Sequence, residues 1–131
     1  AQPDDNLVNQ QKLCRNHRLA DPEGFEYTWG LSHHLTDEQI QCLAAYVSAQ
    51  KSRPLEPGNP KLVAEGRNIF DSGLPAQGAP PCSTCHGDHG QGNGQFPRIA
   101  YQHAAYVITQ LTVFQRTYQR PDGVVMQVIT H

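Results

Sequence analysis

Residues 82 to 86 read Cys-Ser-Thr-Cys-His, two thiols three positions apart followed at once by an imidazole. Two thiols at that spacing can add to the two vinyl groups of one porphyrin, and the next histidine is placed to offer a ring nitrogen to the central iron. The motif therefore predicts covalent haem c attachment through Cys82 and Cys85, with His86 as the proximal ligand. Two other uses of a Cys-x-x-Cys pair fit less well. A closed zinc site takes four ligands, and there is no second Cys-x-x-Cys. A dithiol redox pair belongs at a helix start after a strand, in a βαβ pattern, whereas Ser72 to Pro81, rich in glycine and proline, reads as a loop.

Helices must carry this peptide. Thr36-Asp-Glu-Gln39 is a capping box, in which a hydroxyl accepts a backbone N–H and the glutamine three residues on returns the bond. Ile40, Leu43, Ala44 and Val47 follow at helical spacing, so a helix is predicted over 36–50. Residues 51–60, with three prolines and a glycine, read as a linker. A second helix is predicted from Lys61 to about Asp71, with Leu62, Gly66, Ile69 and Phe70 on one face. Gly66 weakens that helix by up to about 1 kcal/mol relative to alanine, which a close approach by another helix would offset. A third is predicted over 103–115, where Ala104, Val107, Ile108, Leu111 and Phe114 make a stripe of period near 3.6. The β-branched run Val107-Ile108-Thr109 leaves a strand open there on local grounds. Gly87, Gly90, Gly92 and Gly94 lack the Lys-Ser/Thr pair of a phosphate loop and suit tight turns beside a porphyrin better.

At 131 residues the chain suits one domain plus an appendage, and 17% charged against 37% hydrophobic residues is an ordinary globular balance. A formal charge of -2 forecasts no nucleic-acid binding. No apolar run exceeds the five residues of Leu43 to Val47, too few to span a membrane. Haem c is attached outside the cytoplasm, so a periplasmic protein with its signal peptide removed is expected. In that oxidising setting Cys14 and Cys42 are open to two states, a disulfide or two buried free thiols.

From about Gly58 onward the chain resembles class I cytochrome c, and most closely the tandem-domain, dihaem cytochrome c4 type. The likeness rests on Leu62-Val-Ala-Glu-Gly-Arg-Asn-Ile-Phe70, Cys82 to Gly87, Phe96-Pro-Arg-Ile-Ala100, Gln102-His-Ala-Ala-Tyr106 and Met126. It implies an all-α fold of a few short helices around one covalent haem c. It also implies that Gly66 and Phe70 cross the last helix of the domain. Pro97 would offer its carbonyl to the second ring nitrogen of His86. Met126, the only methionine, matches the distal ligand, and a thioether there raises the reduction potential relative to a second imidazole. A core methionine is the plainer role for that side chain. His89, His103 and His131 are the alternative ligands, though each reads first as a solvated surface residue. Arg98, Tyr101 and Gln102 resemble positions near the haem propionates, where a guanidinium pairs with carboxylates.

The chain departs from that family at both ends. Leu31 to Val47 resembles a closing helix, and Leu31-Ser-His33 lines up with Ile129-Thr-His131. The expected organisation is therefore a haemless segment over 1–57, the end of one cytochrome repeat, followed by a haem c domain over 58–131. Cys14-Arg-Asn-His17 is a candidate remnant of a lost attachment site. A closing helix for the haem domain is expected from a tail beyond His131, from the 36–50 helix within the chain or in a helix-swapped dimer, or from a larger partner.

The functional expectation is one-electron transfer between periplasmic protein redox partners, with His86 and Met126 on the iron throughout, rather than enzyme chemistry. A haem subunit of a larger oxidoreductase is the alternative, with 1–57 as a docking element. Its acidic balance, eight acidic to five basic residues over 1–60 against four to five over 61–131, favours this modestly. A haem enzyme or gas sensor follows if Met126 is not a ligand, because such functions need an open iron site.

Overall fold

The computed structural model describes residues 4–16, 25–51, 53–116 and 123–131. Seven α-helices occur among them: α1 (Asp4–Arg15), α2 (Phe25–Ser32), α3 (Asp37–Ser48), α4 (Pro60–Ser72), α5 (Ser83–His86), α6 (Ala104–Arg116) and α7 (Val124–Thr130). A 3-10 turn lies at Pro75–Gln77. Pairing of extended backbone among the described residues is limited to isolated bridges at Leu74–Ala79 and Asn93–Phe96. The fold is all-α, as the sequence implies, and residues 104–116 are helical rather than a strand. No described helix is long and apolar enough to cross a membrane.

The helix starts follow from local chemistry. Thr36 Oγ1 accepts the Gln39 N–H at 3.2 Å, and Gln39 Oε1 accepts the Thr36 N–H at 2.9 Å, closing the capping box at the head of α3. Asn59 caps α4 by accepting the Lys61 N–H at 3.0 Å. Pro60, with its fixed φ and no N–H to satisfy, takes the first helical position.

The buried apolar side chains Leu13, Cys14, Ile40 and Ala44 all belong to α1 and α3. The packed helix pairs are α1 with α3, α1 with α2, and α6 with α7. Charge reinforces the first pair: Asp37 meets Lys12 Nζ at 3.1 Å and Arg15 Nη1 at 2.7 Å. Arg15 also donates to the Leu35 carbonyl at 3.0 Å.

Four differences from the expectation stand out. Helices α1 and α2 carry no cap or stripe strong enough to announce them in the sequence. Cys14 and Cys42 are free thiols, and only Cys14 is buried. Nothing lies within 4 Å of a Cβ built at Gly66, so among the described residues no helix crosses α4 closely there. Helix α3 packs on α1, and its principal partner is not a helix of the haem half. The match of Leu31-Ser-His33 to Ile129-Thr-His131 also sets α1 and α2 opposite α6 and α7, a longer helix packed on a shorter one in each case. Cys14 therefore corresponds to a position in α6 and lies in a packed helix. His17 lies outside the described residues.

Candidate functional site

Helix α5 has barely one turn, with the His86 N–H on the Cys82 carbonyl at 3.0 Å and the Gly87 N–H on Ser83 at 2.9 Å. In that turn Cys82, Cys85 and His86 stand at i, i+3 and i+4, which puts both thiols and the imidazole on one face. Cys82 and Cys85 are half-buried, unpaired thiols, and His86 is buried at 7% exposure. Burial pushes the Cys82 thiol above its ordinary pKa.

Two glycines bracket this turn. Gly73 ends α4 at φ 71°, ψ −163°, and Gly87 ends α5 at φ 82°, ψ 156°. That region of backbone space is essentially reserved for glycine. A Cβ at Gly73 would collide with the Ala79 and Pro80 backbone. The tight return lets Leu74 and Ala79 exchange hydrogen bonds at 2.8 and 3.2 Å and delivers the chain to Cys82.

The loop from Gly87 to Gln102 folds back over the histidine. Gly90 O accepts from Ile99 and Ala100 N–H, both at 2.9 Å, and Asn93 and Phe96 exchange N–H···O bonds at 3.1 and 3.0 Å. Pro97 is thereby set with its carbonyl oxygen 2.7 Å from His86 Nδ1. A carbonyl can only accept, so Nδ1 carries the proton and Nε2 is the nitrogen able to bind a metal. Phe96 stands edge-on to the imidazole, ring centroids 6.2 Å apart at 70°.

Arg98 donates from Nε to the Ala100 carbonyl at 3.2 Å, and its guanidinium lies 5.0 Å over the Tyr101 ring. Tyr101 takes a left-handed φ of 61° and is exposed; Gln102 is half-buried. Met126 is half-buried on α7, the helix that packs on α6. Of the alternative ligands, His131 donates from Nδ1 to the Gln127 carbonyl at 2.7 Å, while His89 and His103 are exposed. Among the described residues no three His, Cys, Asp or Glu side chains converge to hold a metal ion by themselves.

A contact that no motif announced reaches this loop from the other end of the chain. Asn6 Nδ2 in α1 donates to the Gln95 carbonyl at 3.1 Å. No local pattern could have revealed it, because the partners are 89 positions apart.

The donor set suits haem c. Two free thiols and an imidazole with its tautomer set share one face. Among the described residues of 58–131 no large apolar side chain is buried, and Leu62, Ile69, Ile108, Leu111, Val124 and Val128 are exposed. Amphipathic helices without a core of their own need an apolar body to cover, and a porphyrin is one.

No protein-family model matches the chain. Individual proteins do. Cytochrome c-552 of Acidithiobacillus ferridurans is 40% identical over 107 residues, 80% of this chain and 46% of that protein. Cytochrome c4 of Azotobacter vinelandii is 36% identical over 124 residues, 89% of this chain and 58% of that protein. The chain thus spans about half the length of the curated relatives it matches. Among solved structures, cytochrome c4 of Acidithiobacillus ferrooxidans superposes with a TM-score of 0.85 at 35% identity, covering 98% of this chain and 74% of that one. Thiosulfate dehydrogenase TsdBA of Marichromatium purpuratum gives a TM-score of 0.74 at 26% identity, covering 98% of this chain and 28% of that one.

Proposed function

The chain belongs to the cytochrome c4 family of class I cytochromes c, and on that premise we propose that it carries one covalent haem c and passes single electrons between protein partners. The observation that carries this reading is the face shared by Cys82, Cys85 and His86, with the His86 Nδ1 proton committed to Pro97. Cys82 and Cys85 would hold the haem through thioether links, and His86 Nε2 would bind its iron. When bound, haem c supplies a one-electron couple that needs no proton or substrate bond.

The residues of this chain do the rest. Pro97 orients the imidazole and, by accepting its proton, makes it a stronger donor to the metal. Phe96 screens the ring from water on one side. Met126 would supply a thioether to the same iron, a ligand that favours the reduced state. Arg98 supplies a guanidinium for the propionates, with Tyr101 and Gln102 beside it. Residues 58–131 form the haem-binding unit in this reading, and 1–57 a haemless segment packed on its own helices. Attachment of haem c outside the cytoplasm assigns the protein to the periplasm.

A second reading is favoured by one observation, the likeness to a thiosulfate dehydrogenase of which the matched portion is 28%. On that reading the chain is the haem-bearing part of a larger oxidoreductase, and electrons leave a catalytic partner through it. Optical spectra of the purified protein, ferric and dithionite-reduced, with and without carbon monoxide, test the first proposal. A low-spin spectrum with a weak near-infrared thioether band, unmoved by carbon monoxide, is the expected result. A high-spin spectrum that responds to carbon monoxide overturns Met126 ligation and with it the role of simple carrier.

A further inference from the structure

We infer that Asn6, in the haemless N-terminal helix, is a positioning residue for the proximal ligand, acting through the Gln95–Pro97 backbone on His86. This rests on the proposed His86 ligation and goes beyond it. Asn6 is 5% exposed, although its side chain is polar. A buried carboxamide stays inside a protein only where it is hydrogen-bonded, and its Nδ2 is spent on the Gln95 carbonyl at 3.1 Å. Two residues later the Pro97 carbonyl holds His86 Nδ1 at 2.7 Å. The connection is short and stiff. Gln95 lies within the tight turn that the Asn93–Phe96 bonds close, and proline fixes φ at the end of the connection.

The remaining anchors of the loop lie elsewhere: Gly90 O holds Ile99 and Ala100, and Gly92 N–H donates to the His86 carbonyl at 2.8 Å. Gln95 itself is exposed. Among the described residues, Asn6 is a side chain from outside the loop with a hydrogen bond to its Gln95 backbone. The bond also sets α1, and the core it shares with α3, against the haem half of the molecule. The haemless repeat thus acts on the haem site by fixing the acceptor of the proximal histidine. A firmer Nδ1–H···O bond gives a more basic imidazole, which stabilises ferric iron. Loosening the bond should raise the reduction potential and speed solvent exchange of the Nδ1 proton.

The test uses the full haem-loaded chain in three variants. Asn6→Asp keeps the shape but turns an acceptor toward the Gln95 carbonyl. Asn6→Ala removes the bond. Leu13→Ala loosens the core of α1 without touching Gln95 and controls for general destabilisation. Potential by redox titration and Nδ1-proton exchange by NMR on the reduced protein are the readouts. The expected result is a higher potential and severalfold faster exchange in both Asn6 variants, with Leu13→Ala unchanged in both. Wild-type values in the Asn6 variants, or the same shifts in Leu13→Ala, overturn the inference while His86 ligation stands. A wild-type protein whose iron is not bound by His86 overturns the underlying function instead.

Discussion

His86 Nδ1 and the Pro97 carbonyl oxygen stand 2.7 Å apart, joining the attachment turn to the far side of the loop that follows it. The bond converts a histidine with two interchangeable nitrogens into one with a single nitrogen for the metal. Any iron bound here would meet an imidazole whose tautomer is already set.

Met126→Ala tests the thioether proposed for the iron. Loss of the thioether should turn the ferric spectrum high-spin, abolish the near-infrared band, admit carbon monoxide and lower the potential, within the ~0.8 V that axial ligation spans across haem proteins. Covalent haem content, by pyridine haemochrome, should stay at the wild-type level, because Cys82 and Cys85 are untouched.

Gly73→Ala should damage haem loading rather than iron ligation. The backbone at φ 71°, ψ −163° disfavours a side chain by about 1–3 kcal/mol, and the collision with the backbone at Ala79 and Pro80 adds to it. Expression with the haem attachment machinery should yield a markedly lower ratio of haem to protein. Gly78→Ala is the comparison, since its φ is also positive, 73°, but nothing lies within 4 Å of the added Cβ.

Asp37→Asn should destabilise the α1–α3 pair in a pH-dependent way. Hydrogen bonds from Arg15 and Lys12 hold the Asp37 carboxyl below its usual pKa of 3.8. A depressed carboxyl stabilises the folded state above its unfolded pKa and loses that contribution as pH falls through the folded value. Thermal melts should therefore separate wild type from Asp37→Asn at pH 7, with wild type higher, and the gap should close below pH 3.8. A gap unchanged at low pH would show that the ion pairs contribute nothing.

Ile40→Ala empties the centre of the N-terminal core, where the side chain is fully buried. Truncations of this kind cost about 2–5 kcal/mol. Urea denaturation followed by far-ultraviolet circular dichroism should show a loss in that range.

In haem-free protein the Cys82 thiol should need higher pH than an ordinary cysteine before it is alkylated, because only the thiolate reacts and burial raises its pKa. Rate against pH, read site by site by mass spectrometry, checks this. Cys42, exposed, should label in the folded state, and Cys14, buried, only on unfolding.

Features written within four residues were legible before any fold was known. Cys82, Cys85 and His86 declare their chemistry because a helical turn brings i, i+3 and i+4 together whatever surrounds it. Thr36 and Gln39 declare a helix start for the same reason, and the stripe of α6 outweighed its β-branched run because helix formation is cooperative along a face. Tertiary structure decided the rest. Asn6 meets Gln95 across 89 positions, Cys14 is buried as a free thiol while Cys42 is exposed, and α1 packs on both α2 and α3. Each depends on which distant surface arrives beside it, and hydrophobic packing carries no address in the local sequence.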